Sequence, residues 1–310
     1  MRLFVTGASG HIGSAVVPDL LAAGHTVVGL ARSDASATAL GAAGVEVRRG
    51  SLDDLDGLRE LSSDADGVIH LAFKHELTYA GEFARAAESD LRAVEAIGAA
   101  LEGSGKPLVI TSGTALLAMA APGRMGFETD VLERGPRVDS ENAVIAMAAR
   151  GVRSSVVRLP PTVHSSLDHH GFVPTLIRMA RKNGASVYIG EGTNRWPAVH
   201  TLDAARLYRL AVESALGGTR LHGVADEGVP FRQIAEAIGR GLRVPATSVS
   251  PDEAARYLGF LGTFAQVDSP SSSVATRALL NWEPAHAGLL ADLAGRHYFE
   301  SSSSGRPTVD

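Results

Sequence analysis

The first thirteen residues constrain the fold of this chain most strongly. Leu3-Phe4-Val5 is a short apolar run of the kind that forms a buried strand, and Gly7, Gly10 and Gly13 follow at the spacing G-x-x-G-x-x-G. Apolar positions then recur with helical periodicity; they are Ile12, Ala15, Val16, Leu20 and Leu21. A strand, a glycine turn and a helix in this order predict a site for the pyrophosphate of a dinucleotide.

The three glycines have different expected roles. Gly7 permits a tight turn, Gly10 lets the backbone approach a pyrophosphate, and Gly13 lets the helix pack closely against the sheet. The first helical N–H groups and the positive end of the helix dipole then face the phosphates. The predicted cofactor contacts in this stretch are Gly7, Ser9, Gly10, His11, Ile12 and Gly13.

Strands and helices alternate through the first half of the chain. Further buried strands are predicted at residues 26–31, 45–48, 68–72, 108–111 and 154–159, with long helices at 81–102 and 138–150. A helix is also expected from Ser51, with Asp53 and Asp54 in its first turn, where the helix dipole favours acids. This alternation predicts an α/β fold with a doubly wound parallel sheet, a Rossmann architecture.

The pattern changes after Pro160-Pro161. A polar loop is predicted at 164–171, and the following segments are predicted as a helix at 172–182, a short strand at 187–189, a helix at 201–215, a strand at 220–224, a helix at 230–240 and short helical pieces at 244–300. We therefore expect a Rossmann domain of residues 1–165, to which 196–225 return. A small C-terminal α+β substrate domain comprises 166–195 and 226–300. Residues 301–310 are polar, lack periodicity and are expected to be disordered.

Composition excludes several classes of protein. The net charge is -5 with no cysteines, so nucleic acid, anionic membranes, disulfides, cysteine-based zinc sites and a thiol nucleophile are not expected. No apolar run reaches the roughly 18 residues that span a membrane. The first residues already form a strand, so no signal peptide is expected and the location is predicted to be cytoplasmic. The histidines lack the spacing of a zinc motif, so no metal is predicted.

The end of the second strand indicates which dinucleotide is bound. An NAD-preferring domain places an acid there for the ribose 2′-hydroxyl, whereas this chain has Ala31 followed by Arg32 and Ser33. An arginine can hold a 2′-phosphate by two hydrogen bonds. The predicted cofactor is therefore NADP(H).

Five motifs, in this order, resemble those of the short-chain dehydrogenase/reductase superfamily, in its extended or atypical, epimerase/dehydratase-like type. They are Thr6-Gly7-Ala8-Ser9-Gly10-His11-Ile12-Gly13, His70-Leu71-Ala72, Thr111-Ser112, Arg158-Leu159-Pro160-Pro161-Thr162-Val163-His164 and Val199-His200-Thr201-Leu202-Asp203-Ala204-Ala205. The resemblance covers roughly residues 1–295 and implies structural roles for His200 and Asp203. The further cofactor contacts that we expect are Ser51, Leu52, Leu71, Ala72, Lys74, Thr111, Ser112, Leu159, Pro160 and Val163.

The catalytic residues that the resemblance implies are missing. Superfamily members use a Ser or Thr hydroxyl, a Tyr and a Lys four residues after it, and the lysine lowers the tyrosine pKa. Here Gly113 follows Ser112, and Glu133 and Arg137 stand at the Tyr and Lys positions. The five tyrosines, at 79, 188, 208, 257 and 298, all lack a lysine four residues on.

Four residues are the candidates to replace that set. Arg137 holds a permanent charge, Ser112 supplies a hydroxyl, and Lys74 and His75 follow the fourth strand at the edge where α/β sheets bind ligands. His75 has the ordinary pKa best suited to acid catalysis. The loop histidines at 164, 169 and 170 are weaker candidates at the same edge.

Three functions remain open from the sequence. The first is an NADP(H)-dependent reductase of a small carbonyl or of an activated C=C or C=N bond. The second is a sugar-nucleotide epimerase or dehydratase, in which Arg195 would contact a diphosphate. The third is a non-catalytic NADP(H)-binding redox sensor or regulator. By analogy with relatives, the helices at 81–102 and 138–150 suggest a homodimer.

Overall fold

A computed structural model describes residues 1–300, and the tail expected to be disordered, 301–310, lies outside the described residues. The strands are β1 (Arg2–Thr6), β2 (Thr26–Ala31), β3 (Glu46–Arg49), β4 (Gly67–His70), β5 (Pro107–Gly113), β6 (Arg153–Leu159), β7 (Thr162–His164), β8 (Ser186–Ile189), β9 (Arg195–His200), β10 (Thr219–His222), β11 (Asp226–Pro230) and β12 (Ala246–Val249).

The helices follow the predicted alternation. They are α1 (Gly13–Ala22), α2 (Asp34–Ala42), α3 (Leu55–Asp64), α4 (His75–Tyr79), α5 (Phe83–Leu101), α6 (Ala115–Ala120), α7 (Val138–Met147), α8 (Phe172–Asn183), α9 (Thr201–Ser214), α10 (Phe231–Leu242), α11 (Ala254–Leu258), α12 (Leu261–Phe264), α13 (Val274–Leu280) and α14 (Leu289–Leu293). Two short 3₁₀ segments lie at Ala148–Arg150 and Pro251–Glu253. Within residues 1–300, no helix has both the length and the apolar character needed to cross a membrane.

Seven parallel strands form the main sheet, in the order β10-β6-β5-β4-β1-β2-β3. The chain runs outward from β1 to β3 on one side and from β4 to β10 on the other. The strand order therefore reverses between β1 and β4, and open α/β sheets bind ligands at such a reversal. The predicted α/β class with a doubly wound parallel sheet is confirmed.

Helices cover both faces of this sheet. On one face α1 packs against α9, and Val16, Leu207 and Tyr208 are among the side chains buried there. On the other face α5 packs against α3 and α7, where Ile97 and Val144 are buried. Successive side chains of β5 point to opposite faces of the sheet, so the face on which a residue lies decides whether its side chain can reach the site.

The C-terminal half adds two small sheets. β7, β9 and β11 form one, and β8 pairs with β12 in the other. A separate core of aromatic residues, including Phe172, Trp196, Phe231 and Phe264, lies among the C-terminal helices. Of the segment expected to return to the main sheet, β10 does so, whereas β9 joins the three-stranded sheet. The domain boundaries themselves stay a prediction.

Helix α3 begins later than the sequence predicts, whereas α7 begins at the predicted residue. α3 starts at Leu55 because Asp54 caps it, accepting a hydrogen bond from the Gly57 N–H at 3.0 Å. Asp53 therefore lies before the helix and is available to another partner. α7 starts at Val138, directly after Arg137, which has a left-handed backbone with φ of 65°.

Candidate functional site

The glycine turn after β1 has the close approaches that its sequence predicts. Gly7 has a φ of 68°, and a Cβ there would lie 2.7 Å from the Ala72 backbone nitrogen. A Cβ on Gly13 would lie 2.2 Å from the Gly7 carbonyl oxygen, so α1 packs directly on the turn. Ser9 and Gly10 are exposed. The turn thus leaves an open backbone surface at the helix N-terminus, which suits a phosphate group.

We expect Gly13→Ala to destabilise the protein, because its Cβ has no room beside a backbone oxygen. Such overpacking costs about 3 kcal/mol, which for a domain of this size lowers Tm by roughly 6–12 °C. Gly41→Ala in α2 is the matched control, since nothing lies within 4 Å of a Cβ there and alanine favours a helix. Thermal unfolding followed by circular dichroism measures both. Equal Tm values for Gly13→Ala and the wild type would contradict this packing.

The His11 side chain makes its contacts within the protein. Its Nε2 lies 3.0 Å from the Thr201 Oγ1, which also accepts a hydrogen bond from the Ser165 hydroxyl at 2.9 Å. Burial, and then the positive charges of His169 and His164, lowers the His11 pKa to about 4. At neutral pH the ring is therefore neutral, and it joins the glycine turn to the start of α9. Its backbone remains the part expected to contact a cofactor.

Two arginines lie at the ends of neighbouring strands beside this turn. Arg32 Nη1 lies 2.5 Å from Glu76 Oε1, and Arg49 Nη2 lies 3.0 Å from Asp34 Oδ1. Arg49 is in register with Ala31, so both guanidinium groups belong to the edge where a ribose 2′-phosphate is expected. The sequence analysis missed Arg49, although an arginine directly before Gly50 at a strand end was a usable signal.

The other side chains expected to contact the cofactor at this edge have contacts within the protein. The Ser33 hydroxyl caps α2 by accepting from the Ser36 N–H at 3.2 Å, and Ser51 Oγ accepts from the Asp53 N–H at 3.2 Å. Leu52 is 8% exposed and packs in the core between the sheet and α3 and α5. These side chains shape the corner, and cofactor contact by them stays a prediction.

Lys74 is bound to a carboxylate that the sequence analysis placed inside a helix. Its Nζ lies 2.6 and 2.7 Å from the two carboxylate oxygens of Asp53, and this hydrogen bond lowers the Asp53 pKa. Lys74 is thus held by a carboxylate, and its expected catalytic and cofactor-binding roles stay predictions.

A buried chain of polar groups fixes the Leu71-Ala72 corner. Thr6 Oγ1 lies 2.8 Å from His70 Nδ1 and accepts from the Ala72 N–H at 3.3 Å, and His70 Nε2 lies 3.2 Å from Asp90 Oδ1. Burial raises the Asp90 pKa, but the Arg137 charge and the His70 hydrogen bond together lower it by more, so the pKa decreases overall. Asp90 was missed, although an aspartate among buried alanines of a helix is a recognisable signal.

Arg137 supplies a fixed positive charge at the end of β5. Its guanidinium donates to the Thr111 carbonyl oxygen and lies 4.1 Å from the centre of the Phe73 ring. The Thr111 hydroxyl points to the other face, where it lies 2.7 Å from the Tyr208 hydroxyl. Because α7 begins only at Val138, Arg137 does not follow Glu133 on one helix. Glu133 lies in an exposed loop before it.

Ser112 is less accessible than its expected catalytic role requires. It is 5% exposed and in register with Arg158, whose guanidinium is bound to Glu141 on the α7 side of the sheet. Its hydroxyl has no hydrogen-bond partner within residues 1–300. The burial does not favour direct contact with a substrate, and the expected catalytic role of Ser112 stays a prediction. Leu159 and Pro160 are buried nearby and Val163 is half-buried, so cofactor contact by these three stays a prediction.

His75 lies on a run of aromatic rings that leads from β4 to the C-terminal helices. Its ring centre is 5.4 Å from that of Phe73 and 6.3 Å from that of Tyr79, which in turn is 5.7 Å from Phe260. Desolvation and the charge of Arg137 lower the His75 pKa. His75 is therefore mostly neutral at pH 7 and exposed at the ligand-binding edge. It remains the best-placed candidate for proton transfer.

The other histidines of interest are held in structural contacts or exposed. His164 is fully buried with its Nδ1 2.8 Å from Asp292 Oδ2, while His169 and His170 are exposed in their loop. Burial raises the pKa of Asp168 in that loop to about 6. Asp168 Oδ1 lies 3.7 Å from His11 Nδ1, so this loop packs against the glycine turn.

One group has the residue types of a metal site but not the geometry. His200, Asp203 and His286 place ligand atoms within 4.8 Å of one another. The two imidazole rings stack with an angle of only 8° between their planes, so their nitrogen lone pairs do not converge on one ion. Asp203 already accepts from the backbone N–H groups of Ala285 and His286. The structural role expected for Asp203 agrees with these bonds.

Arg195, the expected diphosphate contact, is occupied by a carboxylate. Its Nε and Nη2 lie 3.0 and 2.8 Å from the two oxygens of Asp268. A two-point pair of this kind is a strong and specific arginine contact. A substrate diphosphate would have to displace this carboxylate, and the contact expected from Arg195 stays a prediction.

The fold and the glycine turn together are typical of α/β proteins that bind a dinucleotide. Comparison with known proteins gives the family. The sequence model of the NAD dependent epimerase/dehydratase family matches residues 3–221. An uncharacterised protein of Schizosaccharomyces pombe is 47% identical over 301 residues, covering 96% of this chain and 100% of that protein.

Two more distant similarities agree with that match. The 4-hydroxy-2-methyl-3-oxo-4-farnesyl-3,4-dihydroquinoline-1-oxide ketoreductase of Stigmatella aurantiaca is 27% identical over 231 residues, covering 70% of this chain and 66% of the ketoreductase. The structure of the dTDP-glucose 4,6-dehydratase DesIV from Streptomyces venezuelae, with NAD bound, superposes with a TM-score of 0.75 at 19% identity, covering 96% of both chains. The chain belongs to the NAD dependent epimerase/dehydratase family.

Proposed function

We propose that this protein is an NADP(H)-dependent reductase of a small carbonyl compound or of an activated C=C or C=N bond. The observation that carries the NADP(H) assignment is the pair of arginines, Arg32 and Arg49, at the ends of β2 and β3. Ala31 stands where an NAD-preferring site has an acid. The exposed Ser9–Gly10 backbone beside them suits the pyrophosphate.

The residues at the end of β5 support reduction rather than a reaction that needs a tyrosine base. When bound, NADPH supplies a hydride, and the substrate atom that gains electrons needs a proton and stabilisation of negative charge. Arg137, held by Thr111 and Phe73, is permanently positive and faces no competing carboxylate within hydrogen-bond distance in residues 1–300. We propose that Arg137 stabilises the developing negative charge and that His75 donates the proton.

Two other functions remain alternatives. Sugar-nucleotide epimerisation or dehydration has support from DesIV, a 4,6-dehydratase of dTDP-glucose. It is weakened here by the missing Tyr and Lys. Carbonyl reduction has support from the Stigmatella aurantiaca relative, a ketoreductase. A redox sensor without catalysis would bind NADP(H) and would not convert any substrate.

An assay of NADPH oxidation separates these functions. The purified protein is mixed with NADPH and a panel of ketones, enones, imines and sugar nucleotides, and loss of nicotinamide absorbance is recorded. We expect oxidation with at least one carbonyl, enone or imine. Binding of NADPH without turnover across the panel would favour the sensor, and conversion of a sugar nucleotide without net NADPH loss would favour the epimerase.

We expect the rate of reduction to rise as the pH is lowered through the ordinary histidine range. The His75 pKa is lowered by desolvation and by Arg137, so above that pKa the imidazolium fraction falls about tenfold for each pH unit. The profile of kcat/KM from about pH 5 to pH 8.5 measures this. His75→Gln should lose the pH-dependent limb and reduce kcat/KM by about 10²-fold or more.

His25→Gln is the matched control for that profile. His25 lies before β2, at the opposite edge of the sheet, and contacts Glu213 at 2.9 Å. Its substitution should leave the limb in place. An unchanged profile in His75→Gln would remove His75 as the proton donor.

The quaternary state and location also stay proposals. The exposed sides of α5 and α7 are the surfaces through which we propose a homodimer, by analogy with relatives. We propose a cytoplasmic location, as the sequence predicts. Size-exclusion chromatography with light scattering measures the quaternary state.

A further inference from the structure

The contact between Arg32 and Glu76 crosses the part of the site expected to hold the adenosine ribose. Arg32 follows β2, and Glu76 lies in α4, shortly after β4. Both strands pair with β1, one on each side. Residues that follow β2 and β4 therefore lie on either side of the turn that follows β1, and the Arg32–Glu76 ion pair joins the two sides.

We propose that Glu76 is a specificity-determining residue that controls how tightly this protein binds a 2′-phosphorylated dinucleotide. The inference rests on the proposed NADP(H) function. In the free protein the Glu76 carboxylate occupies the guanidinium of Arg32, which is the group that a 2′-phosphate requires. Cofactor binding must therefore exchange the carboxylate for the phosphate.

Chemistry makes carboxylate and phosphate alternatives at the same arginine. Both anions accept hydrogen bonds from the planar guanidinium fork, and both prefer two-point contact. They repel each other when both lie near one cation. With Arg32 Nη1 only 2.5 Å from Glu76 Oε1, a phosphate reaching the same nitrogen must displace the carboxylate or accept its repulsion.

The solvent exposure of this ion pair allows Arg32 to exchange Glu76 for another anion. The side chains of Arg32 and Glu76 are 70% and 52% exposed, and exposed ion pairs contribute little to stability. Glu76 is anionic at neutral pH, because the effect of burial on its pKa is outweighed by hydrogen bonds from its own backbone and from Arg32. The carboxylate is thus a real competitor for Arg32, yet one that a phosphate can displace.

The neighbouring charges distinguish Glu76 from the other acids at this edge. Lys74 is committed to Asp53, and Arg49 is paired with Asp34, the first residue of α2. Asp34 is fully exposed and comes from the segment directly after Arg32. Glu76 alone among these acids is paired with Arg32, so its removal should free that guanidinium without disturbing the other pairs.

Dissociation constants for three probes test this inference. NADPH and 2′,5′-ADP carry the 2′-phosphate and NADH does not, and none of the measurements needs a substrate. In Glu76→Gln we expect the Kd of NADPH and of 2′,5′-ADP to fall about 2- to 10-fold, with the Kd of NADH changed less than about twofold. The gain should shrink in about 0.5 M NaCl, because salt screens exposed charges.

Glu236→Gln is the matched control. Glu236 is also paired with an arginine at the surface, Arg232 at 2.8 Å, but in α10 of the C-terminal half. Its substitution should leave all three Kd values unchanged. A change in NADPH binding similar to that of Glu76→Gln would show a general effect of net charge and overturn the inference.

Two other results would overturn it. If Glu76→Gln weakens NADH binding without affecting NADPH, Glu76 is a ligand for a ribose 2′-hydroxyl and not a competitor of phosphate. If the wild type binds NADPH and Glu76→Gln binds all three probes as the wild type does, Glu76 has no role in cofactor choice. Failure of the wild type to bind any dinucleotide would instead remove the proposed function itself.

Discussion

Arg32→Asp should weaken NADPH binding by about 100-fold or more and reverse the preference of the protein toward NADH. The substitution removes charge-assisted hydrogen bonds to the 2′-phosphate, which contribute about 1.5–3 kcal/mol, and adds a repelling carboxylate. The new acid follows β2 directly, where an acid can accept hydrogen bonds from the 2′-hydroxyl of NADH. Titration of nicotinamide fluorescence measures both dissociation constants.

Arg232→Asp is the matched control for that experiment. Arg232 is half-exposed and paired with Glu236 in α10, so the same change of charge falls far from the glycine turn in sequence and on another layer of the fold. We expect its two Kd values to equal those of the wild type. An unchanged NADPH-to-NADH ratio in Arg32→Asp would show that Arg32 does not hold the 2′-phosphate.

Arg137→Gln should reduce kcat by about 100-fold while changing the Kd of NADPH by less than about threefold. The guanidinium donates to the Thr111 carbonyl and lies over Phe73, so its charge is fixed before substrate binds. Loss of one such preorganised donor costs roughly 2.7–4 kcal/mol in the transition state, which corresponds to about 100-fold or more in kcat. Single-turnover reduction at saturating NADPH separates this effect from cofactor binding. Arg137→Lys should recover part of the rate, since it keeps the charge but not the planar fork.

Stability has to be measured beside that rate. Asp90 is buried, and the Arg137 charge helps to keep its pKa low, so Arg137→Gln alone leaves a buried carboxylate less compensated. The double variant Arg137→Gln with Asp90→Asn removes both charges and should recover stability without recovering the rate. Full activity in the double variant would contradict the role of Arg137 in reduction.

The strands and the glycine turn were predictable because their signals are local. Leu3–Val5 and residues 26–31 are continuous apolar runs, and the spacing of Gly7, Gly10 and Gly13 requires the close packing that the structure shows. Helix starts were less predictable, because they depend on which polar side chain caps the first turn. Asp54 rather than Ser51 has that role in α3.

The charged contacts of the site were not predictable, because they join elements distant in sequence. Arg32 and Glu76 are separated by 44 positions and Lys74 and Asp53 by 21. No periodic pattern reports such pairs. The burial of the Ser112 side chain was partly predictable. Side chains alternate across a strand, so Thr111 and Ser112 face opposite sides of the sheet. One of the two side chains therefore points toward α7.

The dissociation constants of the wild-type protein for NADPH and NADH, measured under one set of conditions, show whether this site prefers a 2′-phosphorylated dinucleotide. Arg32 and Arg49 lie at the ends of β2 and β3, on one side of the glycine turn, and Ala31 stands where an acid is expected. We expect NADPH to bind at least about tenfold more tightly than NADH, a difference of about 1.4 kcal/mol. Equal or tighter binding of NADH, or no binding of either dinucleotide, would contradict this expectation.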